Sequence, residues 1–200
     1  MKASLLILAV FLLGAVIGRV GLLPDALPTS AITVYVLYLL ILLVAVAIGG
    51  SGKMLTVIRK VHVKVVLVPM GVMAGTLLAV AGVSTFLPTL GVRQSLAVGS
   101  GFGYYSLSSV IITSVSGKTL GAVALLSNIL REIAAIVLTP LLVRYLGKLM
   151  PIGLAGAPAM DTALPVITRF SGKEYAMIAA FSGFVLTVAV PFLVTFILTV

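Results

Sequence analysis

The chain has 200 residues, of which 62% are hydrophobic and only 8% are charged, and its formal net charge is +9. This composition predicts an all-α polytopic membrane protein rather than a soluble domain. The chain has no cysteine and a single histidine, His62, so cysteine-based and histidine-cluster metal sites are excluded. Most of the positive charge lies between apolar segments, where it orients membrane helices, so nucleic acid is not an expected partner.

Five transmembrane spans and two interrupted apolar segments are predicted along a single membrane domain that covers residues 1–200. The spans lie at about residues 4–17, 31–48, 65–87, 120–143 and 176–199. The interrupted segments lie at about residues 94–115 and 149–168.

Each interrupted segment has a break rich in glycine and polar residues at membrane depth. The first break is residues 99–106, with the sequence GSGFGYYS, and the second is residues 153–161, with the sequence GLAGAPAMD. Irregular backbone survives at this depth only against protein or a water-filled cavity, and paired breaks are typical of transporter binding sites. We therefore expect a solute carrier in which both breaks contribute to the site.

The orientation of the interrupted segments has two alternatives. The basic loop at residues 51–64 is predicted to be cytoplasmic, which also places the N-terminus in the cytoplasm. If the first interrupted segment crosses the membrane, Lys118 lies inside and both Arg144 and Lys148 lie outside. If it is a re-entrant hairpin, Lys118 lies outside, both Arg144 and Lys148 lie inside, and more positive charge lies in the cytoplasm. We favour the hairpins, which place the C-terminus outside and repeat one hairpin–span unit in inverted orientation.

Among the four acidic residues, Glu132 has the most unusual position. Asp25 and Glu174 are predicted to be solvated, whereas Glu132 lies midway along the fifth span, where a charge is costly and faces the protein interior. Asn128 precedes it by one helical turn, so both are expected on one face. The neighbouring Arg131 diverges by about 100° and is a poor ion-pair partner. These features favour a functional role for Glu132, with Asn128 beside it.

Asp161 ends the second break and has two interpretations that are compatible. Its carboxylate is a candidate to bind a cation or to carry a proton. It is also a candidate N-cap for the following half-helix, accepting the N–H of Ala163 or Leu164.

The first break supplies candidate ligands for a carboxylate. Half-helix N-termini present unpaired N–H groups and a positive dipole end, so we expect the main chain at Gly101–Tyr105 to bind one. The candidate residues here are Ser100, Gly101, Gly103, Tyr104, Tyr105, Ser106 and Ser108. The two tyrosines are alternatively residues of the membrane-interface belt. Two carboxylates and two half-helix ends suit a zwitterion with an additional positive charge.

Three sequence runs together resemble the LysO-type lysine exporter family. They are SGFGYYSLS at residues 100–108, NILRE at 128–132 and APAMDTALPV at 157–166. The resemblance implies an inner-membrane exporter of L-lysine and analogues such as thialysine, driven by proton antiport, within the wider cation/proton-antiporter and anion-transporter group. It also implies that Glu132 matches an intramembrane glutamate needed for export and Asp161 the acidic residue of the second break.

Full-length members of that family have a further N-terminal membrane region that this sequence does not match. The resemblance therefore leaves alternatives open: a homodimer, a membrane subunit that needs a separately encoded small membrane protein, or an exporter of another cationic amino acid. No pattern in the sequence is typical of an intramembrane enzyme or requires a cofactor.

Overall fold

The structure, a computed structural model, describes residues 63–86 and 89–200, with a few isolated helical positions earlier in the chain. The first two predicted spans and Asp25 lie outside these residues. All contacts below belong to one compact unit, Leu37–Val200. Its helices are α1 (Val63–Ser84), α2 (Val92–Gly99), α3 (Tyr105–Ser116), α4 (Lys118–Leu146), α5 (Met150–Ala155), α6 (Leu164–Ser171) and α7 (Lys173–Thr199), with a 3₁₀ turn at Ala157–Met160.

Three of these helices, α1, α4 and α7, are long and apolar enough to cross a membrane. They have 22, 29 and 27 residues. At 1.5 Å per residue they measure about 33 to 44 Å, compared with about 30 Å for the hydrocarbon core. Pro140 and Pro191 lie inside α4 and α7 without ending either helix. The prediction of an all-α membrane protein is confirmed.

The other helices form two hairpins of short helices. The arms of the first, α2 and α3, have 8 and 12 residues, which is too short to cross the membrane. Gly117 alone joins α3 to α4, and Gly172 alone joins α6 to α7. Their φ angles of 91° and 107° lie in the left-handed region that glycine tolerates best. Each hairpin therefore turns directly into the long helix that follows it.

The first hairpin starts and ends at the same membrane face, which we call face A and define as the face where α7 ends. Arg93, at the start of α2, donates to the carbonyl of Ile197 at 2.8 Å and also to that of Leu198. In the other arm, Ile111 packs in one core cluster with Val194 of α7. These contacts agree with the re-entrant alternative for this segment.

The second hairpin starts and ends at the opposite face, which we call face B. Lys148, just before α5, lies 3.8 Å from the Glu174 carboxylate at the start of α7. The hairpin–span unit thus occurs twice, as α2–α3–α4 and as α5–α6–α7, in opposite orientations. Such inverted repeats are typical of secondary transporters.

The turns of the two hairpins meet between the long helices. The Ala157 N–H donates to the Phe102 carbonyl at 2.9 Å. A Cβ on Gly103 would lie 2.9 Å from the Ala155 carbonyl, and a Cβ on Gly156 would collide with the Phe102 carbonyl. A Cβ on Gly183 of α7 would also lie too close to the turn of the second hairpin, which we call the second turn. Protein therefore covers the irregular backbone at this depth, as lipid requires.

Candidate functional site

A cavity of about 310 Å³ lies beside the meeting point of the two hairpins. Its walls come from the start of α3, the middle of α4, the second turn and the middle of α7. Its polar lining consists of Gly103, Tyr104, Tyr105, Ser106, Glu132, Asp161, Thr162 and Thr187. No lysine or arginine of the described residues lines it, so the cavity is acidic.

Thr162 joins the two carboxylates of this cavity. Its hydroxyl donates to Glu132 Oε1 at 2.5 Å and lies 3.4 Å from Asp161 Oδ1. Its main-chain N–H donates to Asp161 Oδ1 at 2.6 Å. Glu132 and Asp161 are 29 residues apart in sequence, and α4 and the second turn bring them to one threonine. The arrangement suits a cationic group, which would find two carboxylates side by side.

Asp161 does not cap α6, so that expectation is wrong. Its side chain accepts the N–H of Thr162 rather than that of Ala163 or Leu164. The Ala163 N–H donates to the Pro158 carbonyl at 3.0 Å, and the Leu164 N–H donates to the main-chain carbonyl of Asp161 at 3.2 Å. Main-chain carbonyls therefore take these donors, and Asp161 lines the cavity.

The main-chain N–H groups of Gly101–Tyr105 are not free to hold a carboxylate, so this expectation is also wrong. Those of Gly101, Phe102, Tyr104 and Tyr105 donate to carbonyls within residues 98–103. That of Gly103 donates to the Asn128 side chain at 2.7 Å. In the first turn of α3, the Tyr105 and Ser108 N–H groups are also bonded, which leaves those of Ser106 and Leu107 as the remaining donors.

The predicted hydroxyl residues of the first break divide into two groups. Tyr104, Tyr105 and Ser106 line the cavity, and Ser106 is exposed. Ser100 and Ser108 are buried, and each donates its hydroxyl to a carbonyl of its own segment at 2.8 Å. The second group stabilises the turn and does not line the cavity.

Asn128 also serves the first turn rather than the cavity. Besides accepting the Gly103 N–H, its amide donates to the carbonyls of Val98 at 3.3 Å and Ala124 at 2.9 Å. Only 3% of the residue is exposed. Asn128 therefore fixes the turn of the first hairpin against α4. It lies one helical turn before Glu132.

Arg131 points away from Glu132, which confirms that the two do not pair. Its guanidinium donates to the carbonyls of Leu154 at 2.8 Å and Gly153 at 3.1 Å, at the C-terminal end of α5. Sequence reasoning singled out neither Arg131 nor Thr162 as a site residue. The signal for Arg131 was present, since an arginine at membrane depth requires polar partners. Thr162 had no such signal.

Three spanning helices and two opposed hairpins that meet at an acidic cavity define a membrane protein of the transporter class. The family model "Lysine exporter LysO" matches residues 8–198. The chain belongs to this family, whose members are transporters and not enzymes.

Two proteins of similar sequence are named as a lysine exporter and a putative lysine exporter. The lysine exporter LysO of Escherichia coli strain K12 is 34% identical over 196 residues, covering 96% of this chain and 63% of the relative. A putative lysine exporter of Haemophilus influenzae is 33% identical over 167 residues, covering 81% of this chain and 82% of the relative. The chain thus spans about 63% of the length of the E. coli relative. No solved structure matches it significantly.

Proposed function

We propose that this chain exports L-lysine from the cytoplasm across the inner membrane. The observation that carries the proposal is the pair of carboxylates, Glu132 and Asp161, joined by Thr162 at the meeting point of the hairpins. The names of its relatives support lysine as the solute.

Glu132 and Asp161 bind the side-chain ammonium of lysine. The α-carboxylate binds at the start of α3, where first-turn N–H groups, the helix dipole and the Ser106 hydroxyl lie on the same cavity. Tyr104 and Tyr105 contact the aliphatic part of the solute. Thialysine has the same charged groups and is exported by the same route. Another cationic amino acid, such as arginine or ornithine, is the alternative solute.

Proton antiport drives the export. Glu132 releases the ammonium when a proton arrives from outside and returns the proton to the cytoplasm before the next lysine binds. One carboxylate therefore alternates between two cations, the ammonium group and the proton.

Face B is cytoplasmic. The described basic residues at face B are Arg144, Lys148, Arg169 and Lys173, whereas Arg93 and Lys118 lie at face A. Positively charged residues concentrate at the cytoplasmic ends of spans. The C-terminus is therefore outside, and the N-terminus is cytoplasmic if two spans precede α1.

The proposal is tested by efflux of radiolabelled lysine from proteoliposomes that contain only this chain, with and without an imposed proton gradient. Efflux that the gradient stimulates supports proton-coupled export. Lysine binding without efflux favours the alternative, a homodimer or a subunit that needs a separately encoded membrane partner. The exposure of Ser106, Asp161 and Thr162 in a single chain favours that alternative. Folded protein that neither binds nor transports lysine contradicts the proposal.

A further inference from the structure

A second cavity, of about 330 Å³, lies among α1, α2 and α4. It shares no lining residue with the Glu132 cavity. Its walls are mainly apolar, and its polar lining consists of Thr76, Ser95, Ser127, Asn128 and Arg131. None of these side chains is acidic and Arg131 is basic, so this cavity is positively charged, whereas the first is acidic.

Arg131 brings a positive charge to this cavity without an acidic partner among the described residues. Its three hydrogen bonds go to the carbonyls of Leu154 and Gly153 and to the Thr76 hydroxyl at 3.3 Å. The acids that the structure describes are engaged elsewhere: Glu132 and Asp161 with Thr162, and Glu174 with Lys148. Because a cation at membrane depth is costly, neutral dipoles alone compensate it incompletely.

Ser95 is the second indication that the cavity takes a ligand. Only 5% of this α2 residue is exposed, and its hydroxyl oxygen has no hydrogen-bond partner in the protein. Buried polar atoms are nearly always satisfied, so one that lines a cavity needs an occupant to bond with. The Asn128 amide is already engaged with Val98 and Ala124. The Thr76 hydroxyl already contacts Arg131, and Ser127 is exposed. The Arg131 guanidinium and the Ser95 hydroxyl are therefore the charged donor and the buried, unpartnered donor that this cavity offers a ligand.

We propose that this cavity binds a small monovalent anion, either a carboxylate or a halide, between Arg131 and Ser95. Both donors suit an acceptor of negative charge, and the apolar walls exclude a large hydrated polyanion. Two sources supply this chemistry: a free anion, or the α-carboxylate of the transported amino acid. The second source rests on the proposed function, and it would move the solute α-carboxylate from the start of α3 to this cavity.

The test is anion-dependent thermal unfolding of the purified full chain, followed by tyrosine fluorescence in a buffer whose only anion is a bulky sulfonate. Chloride and acetate are each titrated into the wild type, Ser95→Ala and Arg131→Gln. Ser182→Ala is the matched control, because its hydroxyl is also buried without a partner but lines neither cavity. Arg169→Gln, an exposed residue at face B, controls for the lost charge.

We expect either anion to raise the Tm of the wild type and of both controls. Ser95→Ala should need at least about threefold more anion for the same shift, and Arg131→Gln should show no shift. The removal of an unpartnered hydroxyl does not destabilise the fold, so Ser95→Ala keeps the test decisive even if Arg131→Gln fails to fold. The absence of a shift in the wild type, or equal responses of Ser95→Ala and Ser182→Ala, would overturn the proposal.

Two further ligands distinguish the sources. Lysine and 1,5-diaminopentane both have terminal ammonium groups, but the latter has no carboxylate. If Ser95→Ala weakens the effect of lysine and leaves that of 1,5-diaminopentane unchanged, the solute carboxylate occupies the cavity. If Ser95→Ala weakens only the chloride and acetate effects, a free anion occupies it. Chloride and acetate are tested without lysine. The anion result can therefore be interpreted even if the chain proves not to export lysine.

Discussion

Ala157 and Phe102, which lie in the turns of opposite hairpins, are joined by a main-chain hydrogen bond of 2.9 Å. This bond connects the two inverted units at membrane depth. Near this bond, two adjacent α4 residues of opposite charge line different cavities: Glu132 lines the acidic cavity and Arg131 lines the second cavity. The meeting of the hairpins therefore places opposite charges on two sides of one helix.

Thr162 is predicted to be essential for binding because it holds both carboxylates. Thr162→Val keeps the shape of the side chain and removes the hydroxyl that donates to Glu132. A hydrogen bond to a charged group contributes about 1.5–3 kcal/mol, so we expect lysine affinity to fall about tenfold or more. Equilibrium binding of radiolabelled lysine measures this.

The control pair for this prediction lies in the same chain. Thr162→Ser restores the hydroxyl and should recover most of the affinity. Thr199→Val removes a hydroxyl that bonds only to carbonyls of its own helix and should have no effect. Equal affinity of Thr162→Val and the wild type would show that the threonine does not organise the site.

Asn128 is predicted to stabilise the first turn rather than to bind the solute. Asn128→Leu leaves the buried Gly103 N–H without its acceptor, which costs about 1–3 kcal/mol of unfolding free energy. Thermal unfolding measures the loss. Thr139→Val is the control on the same helix, because the buried Thr139 hydroxyl bonds only to the Ala135 carbonyl. If Asn128→Leu is as stable as Thr139→Val, the amide does not hold the turn.

Gly183 is predicted to tolerate no side chain. A Cβ there would lie 2.7 Å from both the Ala157 carbonyl and Met160 Cβ, so Gly183→Ala must displace the second turn. Such overpacking costs about 1–3 kcal/mol. Gly75→Ala is the matched control, since no described atom lies within 4 Å of a Cβ built there. Melting temperatures that fall equally for the two variants would contradict this packing.

The topology is predicted to be visible by cysteine labelling, because the chain has no cysteine of its own. Single cysteines at Val92 and Ser116, the two ends of the first hairpin, should react with a membrane-impermeant reagent from the same side. Cysteines at Leu149 and Phe170 should react from the other side. Labelling of Val92 and Ser116 from opposite sides would mean that the first segment crosses the membrane.

The helices and the breaks followed from the sequence for simple reasons. Long apolar runs can only be helices in lipid, and irregular backbone at residues 99–106 and 153–161 can only be covered by protein. The charge distribution favoured re-entrant hairpins, and the contacts of Arg93 and Lys148 agree with them. Glu132 was identifiable because an isolated acid within a span has few structural explanations.

The hydrogen bonds of the site did not follow from the sequence. The sequence suggests N–H groups free for a solute at residues 101–105, but tight turns satisfy them internally. Asp161 has the spacing of an N-cap, yet the 3₁₀ turn before it takes the N–H of Ala163. Thr162 gained its position from the contact between the second hairpin and Glu132 of α4, which local patterns do not encode.

The most direct measurement is equilibrium binding of radiolabelled lysine to purified Glu132→Gln and Glu174→Gln. Both variants remove one carboxylate of the same size. Glu132 lines the acidic cavity, whereas the Glu174 side chain is 74% exposed at face B. The account predicts that Glu132→Gln folds and loses lysine binding at least about tenfold, as expected for a lost charged partner, while Glu174→Gln binds like the wild type. Equal binding by the two variants would contradict the assignment of the lysine site to the meeting point of the hairpins.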